Sequence, residues 1–191
     1  MSHAGFALVG GGARSGKSSF ALRLAQSRGT RRVFIATAIA FDEEMRERIE
    51  RHKDERGRSF ATVEAPRDLD LAVARLARDR ESTPDVVLVD CLTLWLSNLL
   101  LDGVPASAIE QRVDSLATTL AAAPFASIVV TNEVGMGLVP ETPLGRAFRD
   151  ISGGAHQRLA RVASQLYFAT MGTVVRLKPA PVALADDGFV P

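Results

Sequence analysis

Cysteine is almost absent: Cys91 is the only one in 191 residues. A single thiol excludes an internal disulfide and a cysteine metal cluster, and its scarcity fits a reducing compartment. Long apolar runs are also lacking. No stretch approaches the ~18 residues of a membrane span, and the N-terminus shows no basic segment followed by a long apolar one. A cytoplasmic protein without stable membrane insertion is expected. Excess charge of one sign is missing as well, with a formal net charge of +1. That removes the global basic field of a nucleic-acid binder, and the basic connector "RGTRR" (28–32) is too short to restore it. Internal repeats and low-complexity segments are absent too.

What remains is an ordinary globular composition, 47% hydrophobic and 24% charged, at a length that suits one domain. Short apolar, β-rich runs alternate with helical patterns. "FALVG" (6–10), "VFIATA" (33–38), "FATVEA" (60–65), "DVVLVD" (85–90) and "SIVVTN" (127–132) read as strands. "LYFAT" and "TVVRL" read as two more. Helices are predicted over 17–28, from about Asp68 to Arg80, over 91–101, from about Ala106, and over roughly Leu144 to Ser164. This order predicts an α/β fold with a mainly parallel sheet flanked by helices. A single domain is expected over 1–178, with a turn-rich, loose tail over 179–191.

The strongest local signal is "GGARSGKS" (11–18). Gly11, Gly16, Lys17 and Ser18 satisfy G-x-x-x-x-G-K-[ST], with an apolar strand before and an amphipathic helix after. Glycines let successive backbone N–H groups converge on phosphate oxygens, and the helix N-terminus adds partial positive charge. Lys17 should reach the β- and γ-phosphates, and the Ser18 hydroxyl should ligate Mg²⁺. Asp90, ending a buried strand where sheet ligands gather, is the candidate second magnesium ligand. It also suits the N-cap of the following helix, and the two roles are compatible. These parts give a Mg²⁺–nucleotide site without choosing among NTPases, kinases and switches.

His52 stands in "ERIERHKDERGR" (47–58), within a run of nearly balanced charges. By composition this is the solvated face of a helix spanning 42–58. By spacing, His52 and Lys53 continue the apolar stripe of Phe41, Met45 and Ile49, which puts His52 at the edge of the inward face. A neutral imidazole there could attack phosphorus, and Lys53 and Arg56 could hold phosphates. The residues alone leave both readings open. Asn132 and Glu133, ending a strand before the glycine-rich "EVGMGLVPETP", could contact magnesium or substrate, or simply cap the loop. Cys91 and Trp95 read as core, His156 as structural or solvated, and Arg146, Arg149 and Asp150 as a solvated helix face.

Taken in order, "GGARSGKS", "FIATA", "DEEMRERIERHKDER", "VEAP", "VLVDCLTLWLSNLL", "TNEVGMGLVPETPLGRAFRDISGGAHQRLA" and "VVRLK" resemble a specific family. It is the bifunctional adenosylcobinamide kinase / adenosylcobinamide-phosphate guanylyltransferase family of cobalamin biosynthesis. The likeness runs from about residue 6 to 178, and the "RI-x-x-HK" segment together with "DCLTLWLSNLL" and "TNEVGMGLVP" in the same order carries its specificity. It implies a RecA-like P-loop fold and two reactions. ATP or GTP phosphorylates adenosylcobinamide; GTP then gives GMP to a histidine and onward to adenosylcobinamide phosphate. The histidine implied is His52. The nucleotide site implied comprises Gly11, Gly12, Ala13, Arg14, Ser15, Gly16, Lys17 and Ser18, with Ala36, Thr37, Ala38, Lys53, Asp54, Glu55, Arg56, Glu64 and Asp90. A homo-oligomer, a trimer, is also implied, and the all-round apolar character of 91–101 agrees with it weakly. Guanylyl transfer needs attack at the α-phosphate, whereas a P-loop presents the γ-phosphate, so movement of 42–58 between the two reactions is expected. The rival readings are a simple small-molecule kinase with His52 inert, and a nucleotide-dependent switch.

Overall fold

Nearly continuous apolar strands need cover on both faces, and the fold supplies it. The computed structural model describes residues 5–40, 43, 46, 47 and 59–184. Most of the helix expected over 42–58, His52 to Arg56 included, and the last seven residues, 185–191, lie outside that set. The strands are β1 (Phe6–Gly11), β2 (Arg32–Ala36), β3 (Ala61–Glu64), β4 (Val86–Asp90), β5 (Ala126–Asn132), β6 (Gln165–Thr170), β7 (Thr173–Lys178) and β8 (Ala183–Leu184). They form one sheet in the order β3-β2-β4-β5-β1-β6-β7-β8. Pairings among β1 to β6 are parallel, while β7 and β8 add on antiparallel. The short β8 corrects the expectation of a loose tail from residue 179. Ala183 pairs with Arg176 and Leu184 with Val175.

The helices are α1 (Lys17–Gln26), α2 (Leu69–Arg78), α3 (Leu92–Leu101), α4 (Ala106–Ala122) and α5 (Pro143–Val162). Side chains alternate along each strand, so the two faces build separate cores. Val86 and Leu88 of β4 and Ile128 and Val130 of β5 pack with Phe20, Ala21 and Ala25 of α1. Val87, Val89 and Val129 face the other way, against Leu92, Trp95, Leu116 and Leu159 of α3, α4 and α5. The stripe Ile109, Val113, Leu116, Leu120 on α4 shows the helical spacing that makes this possible. Truncating one such buried leucine to alanine costs about 2–5 kcal/mol.

α3 uses its apolar character inside the chain. Leu92, Trp95, Leu96 and Leu99 are buried in the monomer, and Leu101 is the exposed exception. The helix's composition therefore follows from packing within one copy, which removes the weak agreement with an oligomer read from it. Trp95 is core, as expected. Its Nε1 donates to the Arg67 carbonyl at 2.9 Å, and the Arg112 guanidinium lies over its ring at 5.4 Å. Arg112 also pairs with the buried Asp70, tying α4 to α2. α5 starts where Thr142 Oγ1 accepts the Gly145 N–H and Pro143 takes the first turn.

Candidate active site

The phosphate loop connects β1 to α1 over the C-terminal edge of the sheet. Gly11 is required by close approach: a Cβ there would lie 2.4 Å from the Ala169 carbonyl oxygen of β6 and 2.7 Å from Ser15 Oγ. Gly16 caps α1 with φ at +92°, in the left-handed region, and its carbonyl accepts the Phe20 N–H at 3.0 Å. The Lys17 side chain is buried, and its Nζ donates to the Gly12 carbonyl at 2.9 Å. Two features fit an anion in the loop. Ser15 Oγ is buried without a hydrogen-bond partner, and a Cβ on Gly12 would meet no atom within 4 Å. The first is a polar atom lacking a ligand; the second is open space beside the loop backbone, which a phosphate could enter.

Strand register sets the acids in line. Glu64 ends β3 opposite Ala36, and Ala36 ends β2 opposite Asp90. Asp90 pairs with Val130 on β5, and Gly11 of β1 pairs with Asn132 further along the same strand. β5 therefore separates the strand of the phosphate loop from the strand of Asp90. Two inter-strand spacings, about 10 Å, lie between β1 and β4, which leaves room for a phosphate chain and its cation. Lys17 and Asp90 both act on the buried Cys91 thiol. Burial pushes its pKa up to about 11, the Asp90 charge adds to this, and the Lys17 charge opposes it. Cys91 is inert, as its sequence context suggested.

Thr37 does something the sequence did not reveal. It is fully buried, and its Oγ1 accepts the Cys91 N–H at 2.8 Å while donating to the Cys91 carbonyl at 2.7 Å. Its N–H donates to the Asp90 carbonyl at 3.4 Å, and its carbonyl accepts Asn98 Nδ2 at 2.9 Å. Every polar group of Thr37 is thus engaged by protein. It braces β2 against the segment that carries Asp90. Ala36 and Ala38 stand on either side of it on the same edge.

The loop after β5 is anchored to the phosphate loop. Glu133 N–H donates to the Gly11 carbonyl at 2.9 Å, and Glu133 Oε1 accepts the Gly135 N–H at 2.6 Å. Asn132 N–H donates to Thr93 Oγ1 at 3.3 Å. His156 of α5 is structural. Its Nε2 lies 2.7 Å from Thr131 Oγ1, and its Nδ1 lies 3.8 Å from Glu133 Oε2. Burial lowers its pKa, and the Glu133 carboxylate opposes that shift. A cavity of about 230 Å³ opens beside this group between α5 and the sheet. The His156–Thr131 contact spans 25 residues, so no local pattern announces it.

A family model described as cobinamide kinase / cobinamide phosphate guanyltransferase matches residues 7–177. The chain belongs to that family. It is 41% identical over 175 residues to the bifunctional adenosylcobalamin biosynthesis protein CobP of Pseudomonas aeruginosa, covering 92% of this chain and 98% of that protein. It is also 41% identical over 184 residues to the CobU protein of Salmonella typhimurium, covering 90% of this chain and 98% of that one. Among solved structures, an ATPase domain superposes with a TM-score of 0.56 at 12% identity, covering 96% of this chain and 81% of that one. That likeness and the sheet order make this cobinamide kinase / guanyltransferase a RecA-like P-loop fold.

In this family member, the structure brings Gly11 to Ser18, Ala36, Glu64 and Asp90 to one edge of the sheet. It assigns the Thr37 side chain to bracing. Lys53, Asp54, Glu55, Arg56 and His52 lie outside the described residues. Among the described residues no cluster of three or more His, Cys, Asp or Glu could hold a metal. The donors at hand are the Ser18 hydroxyl and the Asp90 carboxylate. Hard oxygen ligands of this kind, completed by phosphate oxygens and water, fit Mg²⁺.

Proposed function

We propose that this protein carries out two successive transfers in cobalamin biosynthesis. The first moves the γ-phosphate of ATP or GTP to the aminopropanol hydroxyl of adenosylcobinamide. The hydroxyl oxygen forms the new P–O bond, the bond to the β-phosphate oxygen breaks, and the hydroxyl proton is lost. Residues Gly11 to Ser18 hold the phosphate chain through backbone N–H groups, and Lys17 neutralises charge on the β- and γ-phosphates. Ser18 and Asp90 would hold Mg²⁺, which when bound shields the triphosphate charge. Ala36, Ala38 and Glu64 extend the nucleotide site along the same edge, and Thr37 keeps Asp90 in place.

In the second transfer a ring nitrogen of His52 attacks the α-phosphorus of GTP, and pyrophosphate leaves. A phosphate oxygen of adenosylcobinamide phosphate then displaces the histidine, giving adenosylcobinamide-GDP. Splitting one displacement between two anions into two in-line steps lowers the repulsion each must overcome. Lys53 and Arg56 would steady the triphosphate during this step, Asp54 and Glu55 would belong to the same stretch of the nucleotide site, and 42–58 would move to bring His52 to it. The chain works as one domain whose sheet runs on to β8 at Ala183–Leu184, as a cytoplasmic homotrimer. No helix among the described residues is long and apolar enough to cross a membrane.

The observation that carries the proposal is a complete phosphate loop facing the Asp90 strand end in a member of this family. The test is to incubate the protein with Mg²⁺ and GTP labelled at the α-phosphate, then denature it. An acid-labile, alkali-stable label that disappears in His52→Asn supports the transfer. An unlabelled wild-type protein leaves only the kinase.

A further inference from the structure

Gly10 stands inside β1, one residue before the phosphate loop, without the positive φ of its neighbour Gly11. A Cβ there would touch Phe168 Cδ2 at 3.8 Å and Thr131 Cγ2 at 3.9 Å, which is ordinary contact. Neither backbone nor packing requires glycine, and a strand glycine often marks the close approach of a ligand. What the missing Cβ leaves is part of the wall of the 230 Å³ cavity beside His156. Leu8, Leu166, Phe168 and Leu177 of the sheet and Ala160 of α5 make the rest of that cavity apolar. Its polar groups, Thr131, Glu133 and His156, gather where β5 reaches the phosphate loop, and Glu133 N–H is bonded there to the Gly11 carbonyl. The nucleotide site described above extends from the loop along β4, β2 and β3. The cavity lies over β1, β6 and β7, on the other side of the strand order.

The polar group has a place for one more atom. Glu133 Oε1 is committed to the Gly135 N–H, while Oε2 lies 3.8 Å from His156 Nδ1, too far for a direct hydrogen bond. The bond between His156 Nε2 and Thr131 Oγ1 fixes the ring. With the Thr131 hydroxyl donating, the neutral imidazole carries its proton on Nδ1. A hydroxyl set between the two would accept from Nδ1 and donate to Oε2. We propose that this cavity receives the alcohol arm of the corrinoid acceptor, its alkyl chain against the apolar walls and its hydroxyl between Glu133 and His156. This rests on the kinase reading above and adds to it the acceptor site and a base. The volume suits a short alkyl arm and leaves the corrin ring outside. In the transfer the hydroxyl oxygen bonds to the γ-phosphorus, the bond to the β-phosphate oxygen breaks with its electrons on the departing nucleoside diphosphate, and the proton passes to the Glu133 carboxylate.

The test uses the full chain carrying Gly10→Ala or Glu133→Gln. Phosphorylation of adenosylcobinamide by ATP is followed at varied corrinoid concentration, with ATP affinity measured by calorimetry and Tm by a thermal scan. Gly10→Ala puts a methyl into the cavity and should raise KM for the corrinoid about tenfold, with Tm no lower and ATP affinity unchanged. Glu133→Gln keeps an oxygen for the Gly135 N–H but removes the proton acceptor, and should lower kcat about a hundredfold with ATP affinity unchanged. An unchanged KM in Gly10→Ala, a wild-type kcat in Glu133→Gln, or a loss of ATP affinity matching the loss of activity would each overturn the inference. Should Gly10→Ala melt below the wild type, Glu133→Gln decides alone. A wild type that binds ATP but does not phosphorylate adenosylcobinamide would instead overturn the kinase reading beneath, and the inference with it.

Discussion

Replacing Thr37 by valine keeps the shape of the side chain and removes its hydroxyl. In the native protein that hydroxyl serves both sides of the Cys91 backbone, accepting from the N–H at 2.8 Å and donating to the carbonyl at 2.7 Å. The site is fully buried, so water cannot replace it. The Cys91 carbonyl keeps a second donor, the Trp95 N–H at 3.4 Å. The main cost is therefore one orphaned buried N–H, about 1–3 kcal/mol, with a smaller loss at the carbonyl. A total of about 2–4 kcal/mol follows. For a domain of this size each kcal/mol shifts Tm by about 2–4 °C, so Thr37→Val should melt about 4–16 °C below the wild type in a calorimetric scan. Thr37→Ser keeps the hydroxyl and should lose only about 1 kcal/mol, for the missing methyl. Because Cys91 adjoins Asp90, the valine variant should also lose kinase turnover. If Thr37→Val melts with Thr37→Ser, the bracing role is wrong.

The glycines of the phosphate loop should separate by cause. Gly11→Ala forces a Cβ against the Ala169 carbonyl oxygen at 2.4 Å and should lower both Tm and nucleotide affinity, at a cost of at least the ~1–3 kcal/mol of overpacking. Gly12→Ala meets no atom within 4 Å, so calorimetry should show an unchanged Tm with weakened nucleotide binding; equal melting losses in both variants would contradict the geometry. His156 titrates below its ordinary value because it is buried. The unfolded chain thus takes up its proton first, and stability falls as pH drops through the unfolded pKa of about 6.5 toward the lower folded one. Wild-type Tm should fall more steeply than that of His156→Gln between about pH 7 and pH 5, and parallel slopes would refute this.

The first part of the site was legible because it is local. One strand, one glycine loop and one helix follow each other in "FALVGGGARSGKSSFALRL", and the spacing of Gly11, Gly16, Lys17 and Ser18 carries the chemistry directly. Strand types were legible for the same reason, since β4 and β5 are short apolar runs bounded by polar residues. The insertion of β5 between β1 and β4 was not, because strand order is set by long-range pairing. Thr37 shows the limit most clearly. It lies next to the nucleotide edge in sequence, yet its hydroxyl is used on backbone 54 residues away. His156 was assigned a structural or solvated role, and its bond to Thr131 decides for structure. The tail's composition suggested a loose end, but Ala183 and Leu184 find the open edge of β7. His52 rests on its motif, "RHKD", and on family membership.

The most direct test is one reaction run with three proteins. Wild type, Lys17→Ala and His52→Asn are each given adenosylcobinamide, GTP and Mg²⁺, and the corrinoids are separated by chromatography and weighed by mass spectrometry. The wild type should convert adenosylcobinamide to its GDP derivative, His52→Asn should stop at adenosylcobinamide phosphate, and Lys17→Ala should leave the substrate unphosphorylated. Formation of adenosylcobinamide-GDP by His52→Asn would contradict the assignment of two chemistries to two separate parts of one chain.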